Sequence, residues 1–285
     1  MTKLKHTFKT DILFKILFTK HQHLLKILVS HLLQIPIDSI KEFIVNNPEI
    51  PPDVIRDKFS RLDIHMAVDD RNVNLEVQVE NEGNFAERVL YYWAKIYSKA
   101  LSAGGNYKDL PQTIVISIVD FSLFKDSKDY CSEFRLLEIT RKTQLTDKQI
   151  FHFFELPKLP KTIDKNDLLK LWLALFNANT EEELQMIEEL DVSEVNEAIT
   201  AYRTVTASDE LWEIERQRER ARMNEAAALH SAEIRAEKRT EKRINKKWKG
   251  IVAEKKAEIA EKDTALAEKD ALISELKAKL QAAEE

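Results

Sequence analysis

The feature that most constrains this chain is a change of hydrophobic period, from helical to alternating and back again. Residues 10–33 place Ile12, Leu13, Ile16, Leu17, Leu24, Leu25, Leu28 and Leu32 at helical spacing, with Thr10 where a cap is expected. Pro36, Pro48, Pro51 and Pro52 then interrupt the chain, leaving room for a short strand near Phe43, Ile44 and Val45. From Leu62 the period falls to two. Ile64, Met66 and Val68 alternate with Asp63, His65 and Ala67. After the polar turn Asp69-Asp70-Arg71-Asn72, Val73, Leu75, Val77 and Val79 alternate with Asn74, Glu76, Gln78 and Glu80. That pattern predicts a β-hairpin. Residues 84–103 return to helical spacing and close at Gly104-Gly105, and residues 113–119 (TIVISIV) read as a strand buried on both faces. Further strands are expected over 134–139 and 150–156, and helices over 165–202. An α/β fold with a mixed sheet flanked by helices satisfies this order.

Composition sharpens the picture. The chain has 285 residues, 33% of them charged, with only 4 Gly and 7 Pro, which argues against a turn-rich all-β architecture. The lone cysteine, Cys131, excludes an internal disulfide framework and a cysteine-rich zinc site, and fits a reducing, cytoplasmic setting. Lys15, Lys20 and Lys26, with His21 and His23, interrupt the apolar run of residues 12–33, so it is neither a membrane span nor a signal peptide. Basic and acidic residues, 44 against 49, exert no global pull toward nucleic acid or membrane.

Charge is unevenly distributed. Residues 209–285 carry 18 acidic and 18 basic side chains, against 31 and 26 in residues 1–208, with no proline and a single glycine, Gly250. Such a stretch is a long exposed helix or else disordered, and periodicity decides between these. Val252, Ile259, Leu266, Ile273 and Leu280 recur every seven residues, the signature of a coiled coil over 252–285, with a homodimer as the expected product. Lys262 and Lys269 weaken the second seam position, and a solvated single helix is the alternative. Upstream, Arg235, Lys238, Arg239, Lys242, Arg243, Lys246, Lys247 and Lys249 form a basic run that tracks a phosphate backbone or else is simply a solvated face.

The hairpin carries the candidate chemistry. With the turn centred on Asp70-Arg71, residue 63 lies opposite 78 and residue 65 opposite 76. Asp63, Glu76 and Gln78 then converge on one face, and a register slip of two keeps them there. Paired carboxylates repel unless a cation sits between them, and Mg²⁺ suits one or two carboxylates with waters and phosphate oxygens. The ordinary alternative is the wet face of an alternating sheet. His65 is a polar neighbour of Asp63, and His21, His23 and His31 carry no metal-ligand spacing.

Several segments in order resemble the PD-(D/E)xK nuclease superfamily and, within it, the Rpn family of recombination-promoting nucleases and transposases. They are Asp11-Ile12-Leu13-Phe14-Lys15-Ile16-Leu17-Phe18, Lys58 with Leu62-Asp63-Ile64, and Asn74-Leu75-Glu76-Val77-Gln78-Val79. Phe85-Ala86-Glu87-Arg88-Val89-Leu90-Tyr91-Tyr92 follows, then Gly105-Asn106-Tyr107 before Pro111 and the strand at 114–118. The resemblance spans residues 8–125. It implies a restriction-endonuclease-like domain over 1–160, followed by a helical extension over 161–208 and the charged helix over 209–285. It also implies a Mg²⁺-dependent DNA endonuclease of recombination, mobile-element or defence type, with Asp63 and Glu76 as metal ligands. Gln78 stands where the motif has lysine, and Asp11 matches an auxiliary acidic position.

Glutamine orients water but brings no charge, whereas lysine offsets developing negative charge. Lys15 or Arg88 would supply the missing cation. Tyr92, with Tyr91, would line a nucleic-acid groove, whereas Trp93 and Tyr97, four residues apart, are expected to pack on the sheet. DNA contacts are expected from Arg88, Tyr92, Lys242, Arg243, Lys246 and Lys247. The competing reading is a degenerate nuclease fold kept as a coiled-coil assembly module, favoured by Gln78 and by the negative front part. RNA as substrate is a third.

Overall fold

The computed structural model describes residues 2–46, 64–101 and 104–284, with backbone alone for 278 and 280–284. Its centre is a six-stranded mixed sheet of order β1-β2-β3-β4-β6-β5. The strands are β1 (Phe43–Val45), β2 (Ile64–Val68), β3 (Arg71–Gln78), β4 (Gln112–Val119), β5 (Cys131–Phe134) and β6 (Gln149–Glu155). β3, β4 and β6 run parallel and the remaining pairs are antiparallel. The helices are α1 (Asp11–Lys20), α2 (Gln22–Leu32), α3 (Phe85–Lys99), α4 (Leu168–Asn177), α5 (Glu181–Glu188), α6 (Ser193–Thr206) and α7 (Asp209–Glu284). This is the mixed-sheet α/β architecture expected from the alternating periods, and the restriction-endonuclease-like fold that the resemblance implies. β4 takes the centre because its TIVISIV run can be covered on both faces.

Each face of the sheet has its own apolar layer. Ile64, Met66, Val68, Val73, Leu75, Ile114, Ile116, Ile118 and Phe154 join the larger core with α1, α2, α4 and α6. On the other face Val115, Val119 and Phe153 meet Phe85 and Val89 of α3, with Trp93 alongside. Trp93 stacks on Tyr97 at 4.9 Å and donates to the Thr113 carbonyl at 3.1 Å, the sheet packing expected of that pair.

Four local expectations differ from the structure. The helix over 10–33 is two helices, because the backbone leaves helical geometry at His21 (φ −111°, ψ 65°), where Thr19 turns its hydroxyl back onto the Lys15 carbonyl at 2.7 Å. Thr10 occupies the cap position, but its hydroxyl accepts from the Thr7 amide, while Asp11 Oδ1 accepts from the Ile12 amide. The hairpin turn is Asp69-Asp70, one residue earlier than expected, so Ile64 pairs with Leu75 and His65 with Asn74. Asp69 sits in the left-handed region (φ 52°), tolerable for a short polar side chain, and accepts from the Lys41 and Glu42 amides. The strand expected at 134–139 instead ends at Phe134, and beyond it only Leu137 and Gln144 bridge.

The helical region at 165–202 is α4, α5 and α6, with a reciprocal capping box between Thr180 and Glu183 starting α5. The chain divides into compact units Met1–Ala221 and Arg222–Glu285. The first turns of α7 belong to the former, where Leu211 is fully buried in the main core. No helix among the described residues is long and apolar enough to cross a membrane.

Candidate active site

Alternation on β3 sends Val73 and Leu75 into the main core and Asn74, Glu76 and Gln78 to the opposite face. That face is not wet. Asn74 is 4%, Glu76 2% and Gln78 7% exposed. Cross-strand partners extend the polar row: His65 of β2 pairs with Asn74, and Ser117 of β4 with Glu76. The Ser117 hydroxyl donates to Glu76 Oε1 at 2.9 Å. The Gln78 amide nitrogen donates to the Glu80 carbonyl at 2.6 Å, which leaves its carbonyl oxygen as the end able to receive a water or cation.

Lys15 lies on α1, a helix whose residues Ile12–Phe18 are all buried, and is itself 2% exposed. Its charge reaches the polar row. Burial first, and then the Lys15 ammonium, hold the His65 imidazole below its ordinary pKa.

The parallel strands end beside this row, the edge at which open α/β sheets place their ligands. The Asp120 amide, just past β4, donates to the Gln78 carbonyl at 2.9 Å. Asp120 Oδ2 meets the buried Lys9 ammonium at 2.6 Å, and Lys9 also donates to Asn179 at 3.1 Å. At the end of β6, buried Glu155 accepts from the Leu123 and Phe124 amides and from Lys158 at 2.7 Å. Lys9, Ser117 and Asp120 escaped the sequence reading. Their only signal was position: Ser117 is a polar residue within an apolar strand, Asp120 one just beyond it, and Lys9 one just before the first helix.

Asp11 stands one helical turn before Lys15. Arg218 of α7 grips it with two contacts, 2.8 Å to Oδ1 and 2.6 Å to Oδ2. Arg88 of α3 lies over the Phe85 ring at 4.8 Å and reaches Glu82 at 3.2 Å, while its Nε and Nη2 are buried without a hydrogen-bond partner among the described residues. Tyr92, half-buried on the same helix, meets Tyr91 edge-on at 5.7 Å. Lys242, Arg243, Lys246 and Lys247 are exposed on α7 within the second unit. Asp63, Lys58 and Leu62 lie outside the described residues. A cavity of about 630 Å³ opens at the far end of β3, lined by Asp69, Asp70, Arg71, Lys108 and Asp147 among others, and belongs to the hairpin turn rather than to this row.

A family model described as PD-(D/E)XK nuclease family transposase matches residues 8–232. The chain belongs to this family. No curated protein and no solved structure matches it. PD-(D/E)XK nucleases generally use divalent metal ions, so the donor set of this PD-(D/E)XK chain can be tested for fit. Among the described residues no three His, Cys, Asp or Glu side chains gather closely enough to hold an ion. The chemistry of the row nonetheless suits a hard cation: a buried carboxylate with one oxygen steadied by a hydroxyl, and an amide carbonyl two residues on.

Proposed function

We propose that this PD-(D/E)XK protein is a Mg²⁺-dependent endonuclease that hydrolyses DNA phosphodiester bonds during recombination, mobile-element transfer or phage defence. The observation carrying the proposal is Glu76. A carboxylate 2% exposed on a sheet face, in a polar row whose His65 feels the charge of the buried Lys15, is a costly arrangement that a packing role does not require. Asp63 directly precedes Ile64 in the chain, and Glu76 directly follows Ile64's ladder partner Leu75. These two carboxylates are the proposed metal ligands.

The ion, when bound, would polarise the phosphate and lower the pKa of a water. The chain's own groups do the rest. Ser117 orients Glu76. Gln78, its amide nitrogen committed to Glu80, presents a carbonyl that accepts a hydrogen bond from the attacking water and so aims its lone pair. Lys15 supplies the positive charge that glutamine lacks. Asp11 adds a carboxylate whose orientation Arg218 sets, and Arg88 and Tyr92 line the approach of the nucleic acid. A homodimer through the seam of α7 would bring two such sites to one duplex.

The test is plasmid nicking by purified protein, with Mg²⁺ and with chelator, beside Glu76→Gln and Asp63→Asn. Metal-dependent nicking that falls below about one-hundredth in both variants is the expected result. Cleavage surviving both substitutions removes the assignment. The alternative, a degenerate fold serving as an assembly module, draws on Gln78 in the lysine position and on the negative front part. It predicts no cleavage of DNA or RNA with any divalent metal.

A further inference from the structure

Residues 222–285 form the second compact unit, a stretch of α7. At 3.6 residues per turn, all eight cations between 235 and 249 fall within about half of the helix circumference. Glu237, Glu241, Ile244 and Trp248 share the other half. That apolar half continues through Val252, Ile259, Leu266 and Ile273, which lie 48%, 57%, 62% and 49% exposed. The basic face and the apolar seam are therefore back to back on one helix.

The seam's occupant can be read from the charges around it. Its second position holds Lys255, Lys262 and Lys269 and then Leu276, and Lys262 and Lys269 are followed immediately by Asp263 and Asp270. In a parallel, in-register pair each second-position side chain packs beside the partner's next residue, so Lys262 meets the partner's Asp263 and Lys269 the partner's Asp270. Apolar layers of Val252, Ile259, Leu266 and Ile273 then alternate with second-position layers, of which those at Lys262 and Lys269 gain the partner's aspartates and that at Leu276 is apolar. An antiparallel pair would set most of the apolar seam residues against Lys255, Lys262 or Lys269 and only one against Leu276. A second, parallel copy of this chain is the complementary occupant.

Closing that seam turns the two basic faces away from each other. We propose that the α7 dimer bridges two DNA duplexes, one on each side of the coil. The fifteen-residue basic stretch is about 22 Å long, enough to follow phosphates over much of a duplex turn. It has no aromatic side chain on its charged half, as stacking on unpaired bases would need, since Trp248 lies on the seam half. The inference rests on the dimer of the preceding reading and is independent of its nuclease chemistry.

The test uses the full chain with chelator present, so that cleavage plays no part. A bead-bound duplex is asked to capture a second, labelled duplex, while sedimentation reports oligomeric state and gel mobility reports binding to a single duplex. Wild-type protein should be a dimer and capture the second duplex, with capture falling steeply as salt rises. The K242E/R243E/K246E/K247E protein should remain dimeric and lose at least about ten-fold of the capture. The L266K/I273K protein should become monomeric and still shift one duplex, yet capture none. A monomeric wild type, a dimer that shifts one duplex but captures no second, or capture that survives either set of substitutions overturns the proposal. Bridging without nicking in Mg²⁺ would sink the nuclease reading alone, and nicking without bridging would sink only this one.

Discussion

At the scale of single residues, the site depends on polar groups buried along one face of the sheet. Glu76 has a serine hydroxyl at 2.9 Å where bulk water would stand in an exposed strand. Replacing Ser117 with alanine removes an orienting group without touching the proposed ligand. In nicking assays Ser117→Ala should retain Mg²⁺ dependence and lose about 10–100-fold in activity. An unchanged rate would mean that Ser117 only fills space. Burial holds four imidazoles, those of His6, His21, His65 and His152, below their ordinary pKa, and His65 and His152 are the two carried on sheet strands. Burial is the main cause holding both His65 and His152 below the ordinary value of 6.5, against the pull of Glu133 in the case of His152. Both are therefore neutral in the folded protein, while the unfolded chain takes up protons first as pH falls. Their contribution is full above about 6.5 and lost as pH drops through the lowered folded values. Melting temperature should decline between about pH 7.5 and about pH 5, and less steeply in H65Q/H152Q. Parallel declines in the two proteins would place the acid sensitivity elsewhere.

At the scale of elements, the joints between helices matter more than the helices themselves. α7 begins as part of the front unit. Leu211 is fully buried, Arg218 pairs with Asp11, and the Lys5 ammonium sits 3.2 Å from the Trp212 ring centroid. Leu211→Ala should cost about 2–5 kcal/mol in denaturant unfolding, since it opens a cavity in the main core. A cost under about 0.5 kcal/mol would show that the start of α7 is peripheral. The same contacts explain why this joint was hard to read from sequence. Residues 209–221 have the composition of the charged tail, and only packing against α1 and the segment before it separates them from it. The hairpin gives the opposite case. Its alternation was legible, and with it the shared face of Glu76 and Gln78. Its register was not, because one left-handed aspartate, held by the Lys41 and Glu42 amides, moved the turn by one residue.

At the scale of the whole molecule, the two compact units suggest separable stabilities. A chain ending at residue 221 should melt within about 2 °C of full length, whereas one ending at residue 208 should melt several degrees lower, having lost Leu211 and the Arg218–Asp11 pair. Equal melting of the two truncations would put the unit boundary before α7.

Local periodicity by itself determined most of the helices and strands, though not the break at His21 or the end of β5 at Phe134, and with them the buried centre of β4, the polar row along β3 and the seven-residue seam of α7, because each is a property of neighbours in the chain. Only the tertiary structure decided that the polar row is buried rather than wet and that Lys15 acts on His65. It alone joined Lys9 to Asp120, and Asp11 to Arg218 across 207 positions of sequence. Burial and long-range pairing depend on which elements stack against a face, and a pattern read along one strand or helix carries no term for what will cover it.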